Sequence, residues 1–258
     1  MGSWMKNKID TPVSVIMPAY NAAAYIEQAI RSVMEQTYTN WQLLVIDDCS
    51  TDDTYAIAQR LAAEDDRIHP LRNEQNSGVA VTRNRGLELS TGAYVAFLDS
   101  DDVWHPDKLA AQVQMAEREQ AGLVYTSYAI VDADGQPCKQ PYTVPERITF
   151  TDLLKENVIG CSTVLLSPAV AETYRFVTGF YHEDYCLWLD ILRDGHRAVG
   201  CTDVLTDWRL IMNSRSFDKK KASRNRWRIY RRHLRFSVLK SVRYFSSYAW
   251  RGIAKYIK

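Results

Sequence analysis

The sequence predicts an α/β fold: a doubly wound, mostly parallel sheet flanked by helices, followed by a basic amphipathic helical segment. Short apolar runs alternate with segments whose apolar residues recur at helical spacing. Polar clusters follow the apolar runs, at the strand ends where doubly wound sheets bind ligands. Residues 1–208 contain 16 Lys and Arg against 30 Asp and Glu, whereas residues 209–258 contain 16 against one. The charge therefore predicts two regions, 5–208 and 209–258.

Four strands are predicted in the first hundred residues, each short, apolar and followed by polar residues. The predicted strands are residues 13–18, 43–46, 68–71 and 94–98. The predicted helices between them are residues 25–34, 52–63 and 81–89. Because each connection contains a helix, we expect parallel strands whose carboxyl ends share one edge of the sheet.

The elements that follow are less regular. The predicted helices are residues 108–120, 151–157 and 179–194, and the predicted strands are residues 123–131 and 161–166. A turn is expected at 132–135, where Asp and Gly cluster. The last helix begins with His182-Glu183-Asp184 and continues as an apolar run.

Composition excludes several classes of protein. With 46% hydrophobic and 24% charged residues, the 258-residue chain resembles an ordinary globular protein. We expect neither a signal peptide nor a membrane-spanning segment, because no long apolar run is present. The five cysteines are scattered, which favours reduced thiols in the cytosol over disulfides or a zinc site. Residues 1–4, before Met5, are expected to be a cloning remnant.

The most informative motif is an aspartate cluster at the end of the fourth predicted strand. Asp99, Asp101 and Asp102 lie within four positions. Carboxylates this close repel one another unless a cation or a proton relieves them. Hard oxygen ligands suit Mn²⁺ or Mg²⁺, which can hold a diphosphate. A solvated turn that caps the helix near Pro106 is the alternative, and the motif alone favours that alternative.

A second acidic pair, Asp47-Asp48, follows the second predicted strand. Cys49-Ser50-Thr51-Asp52 then supplies residue types that cap a helix. A carboxylate there can accept hydrogen bonds from a base or a ribose, although two capping aspartates are the simpler interpretation. The sequence contains no G-x-G-x-x-G, so it gives no support for a dinucleotide cofactor.

Four blocks of sequence and one acidic pair stand out together. The blocks are Val13 to Asn21, Val45 to Asp52, Arg83-Asn84-Arg85-Gly86 and Phe97 to Asp102, and the pair is Glu183-Asp184. They cover residues 13–190, and in order and spacing they resemble family 2 glycosyltransferases. The resemblance implies the type-A glycosyltransferase fold and a nucleotide-sugar donor.

The same resemblance implies roles for residues at the strand ends. Asp48 would contact the nucleotide base, and Pro18, Ala19 and Tyr20 would line the nucleotide pocket. The chain departs from the family at Cys49, where glycine is usual, which leaves the neighbouring acids in place.

For the donor's sugar and diphosphate, the resemblance implicates three further residues. Asp99 would face the ribose or the donor sugar, and Asp101 would hold Mn²⁺ or Mg²⁺ on the diphosphate. Arg83 could offset phosphate charge.

The pair Glu183-Asp184 matches the family's catalytic acids on the acceptor side. From the residues alone, two acids at a helix start are more often caps, because the helix dipole favours them there. With the other blocks present, Asp184 is expected to be the general base. One base opposite the leaving group fits a single displacement with inversion, and the sequence offers no separate carboxylate for a retaining mechanism.

The basic region carries an apolar stripe at helical spacing. Its members are Trp227, Tyr230, Leu234, Val238, Val242, Phe245, Ala249, Ile253 and Tyr256. Gly252 could divide the helix. With Arg231 and Arg232 beside it, the stripe favours contact with an anionic membrane over simple packing, and we expect no nucleic-acid binding. The membrane-contact candidates are Trp227, Tyr230, Phe245, Arg231 and Arg232.

The expected function is a metal-dependent, inverting glycosyltransferase. It would move a sugar from a nucleoside diphosphate, UDP by preference, to a hydroxyl of a lipid-linked or polysaccharide acceptor in bacterial surface glycan synthesis. The region after residue 208 also resembles the tails of enzymes that build teichuronic acid and O-antigen polymers, which places the protein at the cytoplasmic membrane face. The alternatives are a nucleotidyltransferase, whose Gly-rich basic loop is absent after the first strand, and a non-catalytic sugar-nucleotide-binding adaptor.

Overall fold

The computed structural model describes residues 10–211 and 219–257, with side chains described within 10–211 and 221–250. The proposed cloning remnant, residues 1–4, lies outside the described residues. In the part of the chain that is described, no helix is long and apolar enough to cross a bilayer.

The described residues form one sheet with helices on both faces. The strands are Val13–Ala19 (β1), Trp41–Asp47 (β2), Ile68–Arg72 (β3), Tyr94–Phe97 (β4), Val103–Trp104 (β5), Leu123–Val131 (β6), Pro137–Tyr142 (β7), Arg147–Ile148 (β8), Leu165–Leu166 (β9) and Ala198–Arg209 (β10). The helices are Ile26–Met34 (α1), Thr54–Ala62 (α2), Val79–Leu89 (α3), Lys108–Glu119 (α4), Phe150–Lys155 (α5), Pro168–Thr173 (α6), Glu183–Arg193 (α7), Lys219–Arg228 (α8) and Val238–Ile257 (α9).

The strand order is β3-β2-β1-β4-β9-β6-β10-β5, with β7 beside β6 and β8 beside β10. Strands β3, β2, β1 and β4 are parallel, as predicted, and β6 pairs with β10 in parallel. The antiparallel pairings are short, with two or three residue pairs each. Alternating strands and helices account for the parallel half, since each crossover returns the chain to the same end of the sheet.

One prediction for the second half is corrected, and one strand was missed. Residues 161–166 do not form one strand: Cys161–Thr163 is a turn of 3₁₀-helix, and only Leu165–Leu166 pairs with neighbouring strands. The longest strand, β10, was not predicted. Its pairing with β6 shifts register after Cys201 and again after Val204, so its sequence lacks a regular alternation of apolar and polar residues.

The core lies on both faces of the sheet. Val15 of β1 packs in the cluster formed with α1, α2 and α4, whereas its neighbour Ile16 packs in the cluster formed with α3, α5, α6 and α7. Successive residues of a strand point to opposite faces, so β1 is covered on both sides. All seven residues of β1 are buried, which explains its continuous apolar sequence.

The basic region packs on the second of these two faces. After α8, Ile229–His233 forms a short π-helix, and the chain bends before α9. The bend contains Arg235 at φ +53°. Gly252, which could have divided the helix, lies within α9, and the helix continues through it. Tyr230 is fully buried, and its hydroxyl donates to the Leu154 carbonyl at 2.5 Å.

One of the predicted membrane-contact residues must therefore be corrected. Tyr230 is enclosed by the core and is not available to a lipid surface. Trp227 and Phe245 are half-buried and pack edge to face, with ring centroids 5.7 Å apart. Arg231 is half-buried and donates to the Phe236 carbonyl, which leaves Arg232 as the exposed member of the set. The predicted boundary near residue 208 falls at the end of β10 and stays a prediction.

Candidate active site

The carboxyl ends of β1 and β2 bring the predicted nucleotide pocket together. Pro18 and Ala19 are buried at the end of β1, and Tyr20 is half exposed beyond them. The Asp48 amide donates to the Ala19 carbonyl at 2.7 Å, which joins the two strand ends. The four residues predicted to form the nucleotide pocket therefore lie at one edge of the sheet.

Both aspartates after β2 are engaged by the protein itself. Asp47 is buried, and the Arg72 Nε lies 3.1 Å from its Oδ2. Asp48 accepts from the backbone amides of Ser77 and Gly78 at 2.9 and 2.8 Å, which fixes the loop before α3. The contact between Asp48 and a nucleotide base stays a prediction.

A short loop after β4 presents the aspartate cluster. Asp102 is buried and faces inward, where its carboxylate accepts from the Ser162 hydroxyl at 2.5 Å and from the Arg209 amide at 2.9 Å. The Asp99 amide in turn donates to the Ser162 hydroxyl at 3.1 Å. Ser162 thus holds both ends of the loop, and Asp101 lies between these fixed points.

Asp101 lies in an environment that disfavours its charge. Burial, followed by the charge of Asp99, raises the pKa of Asp101 to about 6. Repulsion between neighbouring carboxylates is what a bound cation relieves. The site therefore has the chemistry of a cation position.

The donor set also fits a metal held jointly with a substrate. No cluster of three or more His, Cys, Asp or Glu side chains suited to a metal occurs within the described residues. Mg²⁺ and Mn²⁺ are commonly bound by one or two carboxylates together with substrate phosphates, rather than by a protein cage. Asp101, with Asp99 beside it, offers this kind of incomplete site.

Arg83 connects the strand-end acids to the acids of α7. Its Nη2 donates to Asp99 Oδ1 at 2.5 Å, and its Nη1 donates to Glu183 Oε1 at 2.8 Å. The side chains of Arg83 and Glu183 are only 4 and 6% exposed, so their ion pair is largely desolvated, whereas Asp99 is 35% exposed. Arg83, which the resemblance implicates in offsetting phosphate charge, thus contacts both the loop after β4 and the start of α7.

Asp184, at the start of α7, also has a raised pKa. Glu183 is buried against Arg83, whereas Asp184 is half-buried and accepts from the Tyr185 amide at 2.8 Å. Burial and then the charge of Glu183 raise the pKa of Asp184 to about 6. A carboxylate with this pKa is still mostly ionised at pH 7 and is a stronger base than an ordinary aspartate.

Four acids, Asp99, Asp102, Glu183 and Asp184, line a cavity of about 290 Å³, and Asp101 is not among its lining residues. Its lining comprises Arg83, Asp99, Asp102, Tyr128, residues 157–163, residues 181–184, Thr206 and Trp208. A cleft in which carboxylates with raised pKa values converge is typical of an active site.

Sequence reasoning missed two residues that shape this site, Ser162 and Arg209. Arg209 donates from Nε to the Asp101 carbonyl at 2.8 Å and from Nη2 to Gln28 of α1 at 2.7 Å. For Ser162, the only signal was the run of small residues from Gly160 to Thr163. No local pattern marks Arg209, whose partners lie far away in sequence.

Comparisons of the sequence with known proteins agree with the resemblance. A family model described as Glycosyl transferase family 2 matches residues 14–169. TuaG of Bacillus subtilis strain 168, a glycosyltransferase assigned to teichuronic acid biosynthesis, is 39% identical over 94% of this chain and 96% of its own. WfgD of Escherichia coli, a UDP-Glc:alpha-D-GlcNAc-diphosphoundecaprenol beta-1,3-glucosyltransferase, is 38% identical over 96% of each chain.

Solved structures share the fold at lower identity. The mannosyltransferase PcManGT from Pyrobaculum calidifontis, in complex with GDP-Man and Mn²⁺, superposes with a TM-score of 0.69 at 20% identity, over 91% of this chain and 70% of that one. S. aureus TarS 1-349, in complex with UDP-GlcNAc, gives a TM-score of 0.66 at 21% identity. That match covers 79% of this chain and 60% of the TarS chain. These likenesses confirm the predicted type-A glycosyltransferase fold.

Proposed function

The chain belongs to glycosyl transferase family 2, and we propose that it moves a sugar from UDP to an acceptor hydroxyl in bacterial surface glycan synthesis. The observation that carries this proposal is the bridge made by Arg83. It joins Asp99, at the donor end of the sheet, to Glu183, the neighbour of the proposed base. Donor and acceptor chemistry would thus share one cavity.

A UDP-linked donor is supported by the relatives. WfgD is named for UDP-Glc, and one TarS structure contains UDP-GlcNAc. In this chain, Pro18, Ala19, Tyr20 and Asp48 lie together at the sheet edge where doubly wound folds bind nucleotides.

We propose that Asp101 binds Mn²⁺ or Mg²⁺ together with the donor diphosphate. A bound divalent cation would offset the negative charge that develops on the leaving nucleoside diphosphate. The raised pKa of Asp101 and the Mn²⁺ in the PcManGT structure support this assignment.

For the transfer, Asp184 would take the proton from the acceptor hydroxyl. The hydroxyl oxygen then bonds to the anomeric carbon as the bond from that carbon to the diphosphate breaks. Glu183, held by Arg83, would fix the start of α7 and thereby orient Asp184. One displacement with one base inverts the anomeric centre, whereas retention would need a carboxylate nucleophile as well.

The acceptor is proposed to be a lipid-linked or polysaccharide saccharide. WfgD is named for a diphosphoundecaprenol-linked acceptor, and TuaG for teichuronic acid synthesis. The cavity offers Tyr128 and Trp208, whose ring centroids are 6.2 Å apart, as apolar surface for a sugar ring.

The first test is a donor panel with the purified protein. UDP-, GDP- and dTDP-sugars are each added with Mn²⁺ or with a chelator, and thermal shift and nucleotide release are recorded. We expect a metal-dependent response to one UDP-sugar, which Asp101→Ala abolishes. Asp134→Ala, a change of an exposed aspartate in the β6–β7 turn, serves as the matched control.

The outcomes separate this proposal from its alternatives. Pyrophosphate released from a nucleoside triphosphate would favour a nucleotidyltransferase. Binding of a UDP-sugar with no nucleotide release in any acceptor extract would favour the adaptor. If UDP-sugar affinity is the same with and without metal, the assignment of Asp101 is wrong.

A further inference from the structure

The outer face of α9 exposes an unusual amount of apolar surface. We define this outer face by Val238, Leu239, Val242 and Trp250, which are 55, 84, 47 and 71% exposed. Among the described residues, seven large hydrophobic side chains are exposed, and four of them belong to this one helix. Scattered apolar residues are normal on a surface, but a cluster of this kind marks an interaction site.

The opposite face of α9 is already packed. Ser241 is fully buried, and the Tyr244 ring lies 6.0 Å from Phe236 in the core. The guanidinium of the buried Arg226 lies over the Tyr248 ring, with its Cζ 4.7 Å from the ring centroid. These contacts hold α9 on the domain, and the residues of the outer face do not take part in them. Of the stripe predicted from the sequence, Tyr230 and Leu234 are buried in the core before α9 begins, whereas Val238 and Val242 of α9 are exposed.

Charge identifies the partner class. Residues 219–258 contain fourteen Lys and Arg and no Asp or Glu. Arg235, Lys240 and Arg243 are exposed close to the outer face in sequence. An apolar face with basic residues around it is typical of a helix that lies in the interface of an anionic bilayer.

We propose that the outer face of α9 docks the enzyme on an anionic lipid surface, with α9 parallel to the membrane plane. Leu239 and Trp250 would enter the boundary between headgroups and acyl chains, where tryptophan is favoured. The neighbouring Lys and Arg side chains would pair with lipid phosphates. This proposal stands on the exposure and charge of α9 and does not depend on the proposed transfer reaction. It would bring the enzyme to a lipid-linked acceptor if that proposal also holds.

The test is co-sedimentation of the full chain with vesicles of phosphatidylcholine, with or without one-third phosphatidylglycerol. We expect binding to the anionic vesicles only, weakened at high salt. The double variant Leu239→Ser/Trp250→Ser should bind at least about tenfold more weakly, because two exposed apolar side chains no longer enter the lipid. Val81→Ser/Leu89→Ser, two exposed residues of α3, is the matched control and should bind as the unmodified chain does.

Charge is tested separately with Arg243→Glu. This change should weaken binding by about fivefold or more, because each basic residue near an anionic surface adds attraction. Arg118→Glu, on α4 at the other face of the sheet, should leave binding unchanged. Circular dichroism and the thermal midpoint check that every variant is folded.

Two results would overturn the proposal. One is absence of binding by the unmodified, folded chain; the other is equal binding by the Leu239→Ser/Trp250→Ser variant. Nucleotide release with a water-soluble acceptor should be the same for all these variants. A failure of membrane binding is therefore distinguishable from a failure of the proposed reaction.

Discussion

Arg83 is the residue on which the geometry of the candidate site depends. Its guanidinium is buried between Asp99 and Glu183, so removing either acid would leave a desolvated charge without one of its partners. Lysine could not replace it, because one ammonium group does not reproduce two donors held in a planar fork. The ion pairs fix Asp99 relative to Glu183, and through Glu183 the start of α7.

The role of Asp184 can be tested at this scale. Asp184→Asn should lower the rate of transfer by about 10²–10⁴-fold, since the amide cannot accept the proton of the acceptor hydroxyl. Binding of the donor should change by less than about twofold, because the diphosphate is assigned to other residues. Transfer rates and donor affinity are measured on the same preparation. Asp194→Asn, just beyond α7, is the control, and an unchanged rate for Asp184→Asn would show that another base is used.

The pH dependence follows from two acids, Asp101 and Asp184, each with its pKa raised to about 6. In their proposed roles both acids must be ionised, Asp101 for the metal and Asp184 for the acceptor, so kcat/KM should fall as the pH drops below about 6. Excess Mn²⁺ should move part of this limb to lower pH, because the cation competes with the proton at Asp101. A rate that is flat down to pH 5 would contradict both roles.

The raised pKa values of Asp101 and Asp184 also make the stability of the fold depend on pH. Activity should rise with pH, whereas the stability that these two groups contribute should fall. The folded pKa of each acid lies above its ordinary value of 3.8, so the folded state binds the proton more tightly than the unfolded state does. The stability contributed by these two groups is present below about pH 4 and is lost as the pH rises to about 6. Asp184→Asn should therefore reduce the loss of stability over this range, which thermal midpoints can measure.

Most acids of the candidate site could be predicted from the sequence, because each follows an apolar run or begins a helix. Ser162 and Arg209 could not be found in this way. Ser162 acts on Asp102 from 60 positions away, and Arg209 acts on Asp102 from 107 positions away. Such contacts depend on the sheet order, which periodicity does not reveal. Asp102, one of the predicted acidic cluster, proved to be an internal support for its neighbours.

At the scale of elements, the approach of α3 to β1 positions Arg83. Gly86 lies one turn after Arg83, and a Cβ atom there would lie 2.4 Å from the Ile16 Cγ2. Ile16 is fully buried in the core, so its side chain cannot move aside easily. Glycine at this position lets the helix lie close to the strand.

Gly86→Ala should reverse the usual effect of this substitution in a helix. Alanine normally stabilises a helix over glycine by about 0.5–1 kcal/mol. Here the free energy of unfolding should instead fall by about 1–3 kcal/mol, because the core is overpacked. Donor affinity should fall as well, since Arg83 moves with α3.

Urea unfolding of Gly86→Ala, Ile16→Ala and the double variant forms a complete cycle. The double variant should lose less stability than the sum of the two single changes, because Ile16→Ala makes room for the new Cβ atom. If the losses of stability in the two single variants add exactly in the double variant, the Cβ atom at position 86 does not clash with Ile16.

Strands and helices were predicted accurately where apolar residues recur at regular spacing. The predicted strand 123–131 is confirmed with both bounds, whereas β10 was missed because two register shifts disturb its alternation. The break before α9 contains Arg235 in the left-handed region, a conformation that arginine rarely adopts outside a supported turn. No sequence pattern marked this break, and Gly252, which could have divided the helix, lies within α9.

At the scale of the whole molecule, the change of charge near residue 208 does not coincide with a gap in the packing. Ile229, Tyr230, Leu234 and Phe236 belong to the same core cluster as α5 and α7. The Tyr230 ring stacks on Phe236 at 6.3 Å. Charge reports the surface of a region, whereas its buried contacts decide whether it unfolds with the rest.

Tyr230→Ala should lower the free energy of unfolding by about 3 kcal/mol or more, because it leaves a cavity and removes the donor to Leu154. Urea unfolding followed by fluorescence and circular dichroism should give coincident transitions at a lower midpoint. Trp250→Ala is the matched control, and this exposed aromatic residue should change stability by less than about 0.5 kcal/mol. Equal stability of Tyr230→Ala and the unmodified chain would favour a basic region that folds independently.

The bridge made by Arg83 also bears on how the enzyme is made. Glu183 is translated 100 residues after Arg83, so a nascent chain completes its donor-side strands well before its proposed base has left the ribosome. Until then Arg83 lacks one of its two partners, and an interrupted translation product would carry the nucleotide edge without the means to transfer a sugar. Fragments left by stalled synthesis would therefore not consume activated sugars in the cell.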